Sequence, residues 1–508
     1  MSYSIVWFKR DLRLHDHTAL DYAARQGLPV LCLYVVEPAV WAQPDAANQH
    51  YQFLLESLRE LYAELRRRGG HLHVLTGDIP AVFDRLYASA PFTAIYAHEE
   101  TGNDVTYRRD RAVSRWCRAQ GVTWREFPQF GVVRRLQSRD LWQANWNAHT
   151  ALPCLPPPPL TFALLPWADA LPPTPQALGL ALHDPPHRQR GGRPLGLSAL
   201  HGFLTERSGQ YRGGISSPLS APTACSRLSP YLAYGCLSLR EVVQATRQQV
   251  ASLPPTAGRQ KQGLTAFISR LYWHCHFIQK LESEPELEYR NLHRGYDGLR
   301  EHAWDQAHFE ALTMGRTGWP MVDACVAMLH DTGWLNFRMR AMLVSVAAYP
   351  LWLDWRPVGQ WLARQFLDYE PGIHWSQMQM QSGTTGINTP RIYNPLKQAV
   401  DHDPQGHFVR AWLPAMRQVP DSWLSQPWRM PPEVQARCGV RVGEDIAVPL
   451  VDLAEATREA KSRLFALRAQ PEVRSAKAAI VEKHGSRARP LKPRRKPPPD
   501  SGQLALEF

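Results

Sequence analysis

The chain has 508 residues, a formal charge of +12, and 44% hydrophobic against 20% charged residues, which predicts about two to four domains with ample core. No apolar run approaches the roughly 20 residues that cross a bilayer, and MSYSIVWFKRDLR lacks the form of a signal peptide, so membrane-embedded and secreted classes are disfavoured. The expectation is a cytoplasmic protein whose basic surplus suits a polyanion; charge alone leaves DNA, RNA and membrane surface open.

From residue 4 to 128, short β-rich runs alternate with helical ones. The expected strands are SIVWF, PVLCLYVV, HLHVLTG, AIYAH and VTWREF, with amphipathic segments such as 51–69 and 81–89 between them. This alternation predicts an α/β domain with a doubly wound parallel sheet over residues 1–132. No Gly-x-Gly-x-x-Gly follows the first strand. FKRDLRLHD (8–16) stands there instead, and its charges read either as a solvated loop with internal ion pairs or as a ligand site.

Residues 133–197 are rich in proline, including 156–159 and 185–186, and predict a connector without helix or sheet core. The run HRQRGGR near residue 190 is by default a solvated turn, with phosphate contact as the alternative. Helical periodicity then predicts an all-α domain over 198–455. In Cys225-Ser226-Arg227-Leu228-Ser229-Pro230, a serine cap with proline at the first helical position offers amides and hydroxyls suited to a pyrophosphate; taken alone it is a helix start. A helix over 266–277 would set Arg270, Trp273, His274 and Phe277 on neighbouring positions of one face. His274 and His276 are two residues apart, a poor spacing for one metal, and read as core or polar-face histidines.

Residues 315–395 carry the densest pattern. Pro320 suits a first helical turn and Gly333 a stop; a second apolar run spans 335–348, and a third follows Pro357 and ends at Pro371-Gly372. Arg338 and Arg340 lie in the middle helix among methionine, leucine and valine, and a cation there needs a partner or a polar ligand. Asp368 and Glu370 follow the third helix. The eight cysteines never form a Cys-x-x-Cys pair and read as scattered thiols, with no metal expected.

The motifs FKRDLRLHD, SGQY (208–211), CSRLSP, TGWPMVDA, TGWLNFRMR, LDWR, FLDYE and RIYNP, dense and in order over roughly residues 3–420, resemble the cryptochrome/photolyase family of flavoproteins. The resemblance implies an all-α FAD-binding domain and an N-terminal domain that in the family can hold a second, light-harvesting antenna chromophore. It implies flavin contacts for Tyr211, Ser226, Arg227, Leu228, Ser229, Asn336, Arg340, Asp368, Glu370 and His374. Arg340 would lie beside the isoalloxazine with Asp368 as its partner, a simple interhelical ion pair being the other reading. Trp273, His274 and Met380 fall at lesion-facing, catalytic positions. Trp355 and, with a small gap, Trp304 match the middle and outer members of the family's electron chain.

The sequence also departs from the family. His274 replaces the usual arginine after Trp273, Arg270 an acid, and Phe337 a polar residue. His374 stands for asparagine beside the flavin's central ring, where a histidine is expected to titrate near neutrality. Met378 takes the place of the tryptophan nearest the flavin, so the relay is interrupted there; Trp334, Trp352 and Trp375 are candidates for a different first step. Some relatives hold an iron–sulfur cluster, whose cysteine spacing is missing. The implied function is light-driven repair of pyrimidine dimers in UV-damaged DNA, with a non-repairing blue-light receptor as the alternative and a light-independent DNA-bound flavoprotein as a third.

Residues 456–508 change character. One last helix is expected over 451–467, and 474–499 is basic, proline-rich and expected to be disordered, either as a salt-sensitive DNA-binding arm or a solubilising tail. The final residues Gln503-Leu504-Ala505-Leu506-Glu507-Phe508 resemble the Gln-x-x-Leu-x-Phe peptide by which bacterial DNA enzymes dock on the sliding clamp, through Gln503, Leu504, Leu506 and Phe508.

Overall fold

The computed structural model describes residues 2–165, 171–387 and 390–485. Five parallel strands, β1 (Ser4–Phe8), β2 (Val30–Val36), β3 (Leu72–Thr76), β4 (Ala94–His98) and β5 (Thr123–Phe127), form a sheet of order β3-β2-β1-β4-β5. All five expected strands are present within two residues. β1, β2 and β4 are buried throughout because helices cover both faces, as a parallel sheet requires. Ser4 pairs with Val30 on one side and Ala94 on the other. The strand order therefore reverses at β1/β4, where open α/β sheets bind ligands at their carboxyl ends.

The segment after β1 is not a solvated loop. Lys9, Asp11, Arg13 and Asp16 are all buried, and they tie the sheet to the helical domain. Arg10 donates to the Ala233 carbonyl at 2.7 Å and the Tyr369 carbonyl at 2.8 Å, and Arg13 donates to Gly235 at 2.9 Å. Asp16 pairs with Arg240. Asp11, His17 and His98 are a metal-compatible group. His17 Nδ1 accepts the Leu20 amide, which leaves Nε2 to carry the proton 3.0 Å from Asp11 Oδ2, while His98 Nδ1 approaches the same oxygen at 2.7 Å. His98 thus hydrogen-bonds Asp11 and His17 lies within ion-pair distance of it, so the group is held together by contacts among its own members.

Two expectations on the connecting and terminal segments are corrected. The proline-free stretch inside the connector forms the helix Trp142–Ala151, because Trp142 and Trp146 pack edge-on against Tyr272 at 4.9 and 5.4 Å. After the helix Leu453–Ala469 comes a second, Pro471–His484, where disorder was expected from residue 474. Val473 is buried with Tyr296 and Leu464, and Lys483 reaches Glu284, so docking outweighs like-charge repulsion there. The basic run 486–499 and the terminal hexapeptide lie outside the described residues.

Candidate functional site

Four helices of the second domain converge: Gly258–Ser283, Phe337–Ala348, Trp355–Gln365 and Pro371–Ser382. Arg340 stands on the first turn of the second of these and Asp368 on the link between the last two. Arg340 Nη1 and Nη2 donate to the two Asp368 oxygens at 2.9 and 3.0 Å, Nε donates to the Leu335 carbonyl at 2.7 Å, and the guanidinium lies 4.2 Å from the Phe366 ring centroid. The bidentate fork and the ring beneath it fix both the plane and the position of the cation. Burial pushes the Asp368 carboxyl up, but the Arg340 charge and the hydrogen bonds from Arg340 and Ser229 outweigh it and hold the pKa below the usual carboxylate range. The pair is charged at neutral pH.

The Cys225–Pro230 segment faces this pair. Arg227 has a left-handed backbone (φ 61°) and lays its guanidinium 3.8 Å from the Trp334 ring. Among the described residues no acceptor binds that guanidinium, and burial lowers its pKa to about 10 even with Asp368 nearby. The serine-cap reading needs revision. The residue preceding the helix Ser229–Ala233 is the buried Leu228, no side chain caps it, and Ser229 spends its hydroxyl on Asp368. Asn336 donates to the Ile215 and Ser216 carbonyls at 3.0 and 2.9 Å, while its Oδ1 is buried without a partner. Tyr211 is buried against Phe203 and Phe267 and shares a hydrogen bond with Arg270. A cation and an amide oxygen that lack hydrogen-bond partners among the described residues, beside a fixed ion pair, fit an anionic group with a hydrogen-bonding heterocycle, as FAD is.

His374 donates from Nε2 to the Gly359 carbonyl at 2.9 Å, and burial lowers its pKa to about 4. It does not titrate near neutrality, as the sequence suggested. It stays neutral with Nδ1 unprotonated, because the carbonyl can only accept. Trp375 and Met378, one turn apart, lie together over Gly359, where a Cβ would come within 2.5 Å of the indole and 3.4 Å of the Met378 Cγ. Met380, two residues on, is half-buried on a different face of the helix. Glu370 caps this helix and faces Arg10 across the domain boundary at 3.6 Å.

Of the row expected on one helix face, Trp273 is half-buried against Phe277 and His276, Arg270 turns to Tyr211, and His274 packs on Phe130 of the N-terminal domain. Trp355 is buried with Nε1 donating to Asn291 at 2.8 Å; Trp304 is half-buried on Phe309. Sequence reading missed Phe366, Gly359 and the second role of Ser229, since nothing local marks a residue as a platform or a spacer.

A second cavity of about 140 Å³ opens at the carboxyl ends of β1 and β2. Arg109 crosses it, donating to Glu37 at 2.9 Å and Glu100 at 2.6 Å, and burial pushes the Glu37 carboxyl up to about 7. Trp7, Trp41 and Tyr34 supply aromatic walls. Tyr369, next to Asp368, lines it too and donates to Asp45 at 2.5 Å, so the two sites share a wall.

Two family models match: "DNA photolyase" over residues 4–135 and "FAD binding domain of DNA photolyase" over 267–466. A deoxyribodipyrimidine photo-lyase of Alkalihalophilus pseudofirmus is 26% identical over 91% of this chain and 97% of that protein. A cryptochrome DASH of Gloeobacter violaceus is 28% identical over 88% of this chain and 93% of its own length. A bacterial class III photolyase structure from Agrobacterium tumefaciens superposes with a TM-score of 0.81 at 25% identity, covering 92% of this chain and 98% of that one.

Proposed function

The chain belongs to the cryptochrome/photolyase family, and from that premise we propose that it is a photolyase, repairing cyclobutane pyrimidine dimers in UV-damaged DNA. Bound FAD, in its reduced form and under blue light, supplies one electron to the lesion and receives it back. The observation that carries the reading is the fixed Arg340–Asp368 pair beside the Arg227 guanidinium, which no acceptor binds among the described residues. The guanidinium of Arg340 lowers the cost of holding an anionic ring away from water, and Asp368 orients it. Arg227, with Ser226, is placed to take the phosphates. The half-buried Trp273 offers an aromatic face to a base flipped out of the duplex.

The test is direct. The flavin is reduced chemically, the protein is illuminated with a dimer-containing oligonucleotide, and restored thymine is scored by chromatography. Trp273→Ala should lose most repair while keeping its flavin; unchanged repair overturns the pocket assignment. A blue-light receptor that repairs nothing is the second reading, favoured by Phe337, 57% exposed where dimer repair uses a polar residue. Flavin and DNA bound without light-dependent repair would establish it.

We assign the second cavity to an antenna chromophore, since it combines aromatic walls with buried charge at the sheet's switch point. The terminal Gln503–Phe508 peptide we assign to the sliding clamp. Its deletion should abolish clamp capture without changing repair, and retained capture ends that assignment.

A further inference from the structure

Met378 interrupts the electron supply at the first link. Thioether sulfur is a poor electron donor beside an indole. Trp334, Trp352 and Trp375 are the candidates for a detour, and their electrostatic surroundings separate them. Removing an electron from an indole creates a cation, so a neighbouring fixed cation opposes the step. Trp334 lies 3.8 Å beneath the Arg227 guanidinium. Trp352 is held between Arg300 at 4.6 Å and Arg463 at 5.1 Å. Arg300 is buried and donates to a backbone carbonyl; Asp354 and Glu301 offset its charge in part and Glu459 pairs with Arg463, and the ring remains flanked by two guanidinium groups.

Trp375 is different. Its ring neighbours are the neutral His374 at 4.9 Å and Trp355 at 6.0 Å, both edge-on. It is 3% exposed, and its Nε1 has no acceptor among the described residues. An oxidised Trp375 therefore has no acceptor hydrogen-bonded to its Nε1–H among the described residues, which favours onward movement of the hole over loss of the proton. Trp355 gives its Nε1–H to the Asn291 amide oxygen, which is no base. Arg356 lies 4.7 Å from the Trp355 ring but is matched by Asp354 at 3.0 Å and Glu301 at 3.2 Å, leaving that group without excess positive charge. Gly359, on the helix Trp355–Gln365, makes the arrangement possible, since any side chain there would push Trp375 and Met378 of the next helix away from it.

We propose that Trp375 replaces the missing first donor, and that flavin photoreduction in this protein runs through Trp375 and then Trp355. One electron leaves the Trp375 indole for the light-excited oxidised flavin. Trp355 returns one electron to Trp375, and an external thiol such as dithiothreitol returns one to Trp355. The flavin gains one electron and the thiol loses one. This inference rests on the FAD reading above.

The experiment follows loss of the oxidised flavin's blue absorption band in the purified holoprotein under steady illumination with dithiothreitol, with flavin content fixed by denaturation and release. Trp375→Phe should slow photoreduction about tenfold or more, and Trp355→Phe likewise, whereas Trp352→Phe should keep the wild-type rate. The double variant Trp375→Phe/Met378→Trp should recover speed, which a packing role for Trp375 would not produce. Wild-type photoreduction in Trp375→Phe overturns the route, as does failure of the double variant to recover. Repair by chemically reduced Trp375→Phe should be retained. Its absence from chemically reduced wild type would sink the repair reading, without touching the route.

Discussion

Replacing Asp368 by asparagine keeps the shape of the Arg340 pair and removes its charge. The carboxylate accepts both Nη groups at 2.9 and 3.0 Å and is 6% exposed. An amide can accept from one Nη only and must turn its own donor toward the other. Removing one partner of a fully buried pair costs about 3–5 kcal/mol; because Arg340 is 23% exposed and keeps Leu335 and Phe366, the lower end, about 3 kcal/mol, applies. At roughly 2–4 °C per kcal/mol for a domain of this size, the flavin-free protein should melt about 6–12 °C lower, read by calorimetry. The sign with pH follows from the depressed Asp368 pKa. Its contribution is complete above the ordinary carboxylate value and lost only as pH falls through the lowered one. The gap between wild type and variant should therefore stay constant from about pH 8 to about pH 5. A melting change under about 1 °C, or a gap already closing between about pH 7 and 5, would refute the reasoning.

Arg10→Ala removes the donors to Ala233 and Tyr369 and strands the buried Glu370. Calorimetry should show the single transition broadening or splitting as the sheet and helical domains uncouple, at a cost of about 3 kcal/mol. His374 should show no NMR titration between about pH 6 and 8. Because its folded pKa is lowered to about 4, folding rejects a proton the unfolded chain accepts. Stability is full above the ordinary histidine value near 6.5 and falls as pH drops toward about 4. His374→Asn should flatten that slope, and a His374 midpoint near about 6.5 would end the argument.

The strands and the order of helices were readable from the chain because each rests on local rules, whereas the Arg340–Asp368 pair came from the family resemblance of TGWLNFRMR and FLDYE. Alternation marks the sheet, and proline and glycine mark the helix ends, as Gly333 does with its left-handed φ of 62°. A cation among apolar neighbours demands a partner or a polar ligand, and the resemblance implied that Asp368 is that partner.

Other features depended on neighbours remote in the chain. The charges after β1 could be solvated or buried until the helical domain was seen to supply Ala233, Gly235 and Tyr369 carbonyls for them. Pro471–His484 became a helix only because Tyr296 and Glu284 receive it. His374 was expected to titrate because its intrinsic value lies near neutrality; burial and the Gly359 carbonyl decided otherwise. Residue types and spacings along the chain thus determined which groups this protein has to work with. Their protonation states, the packing of Trp375 against Trp355 and the placing of guanidinium groups beside Trp334 and Trp352 were decided by the tertiary structure, since desolvation and Coulomb energy depend on distances between segments that sequence order does not contain.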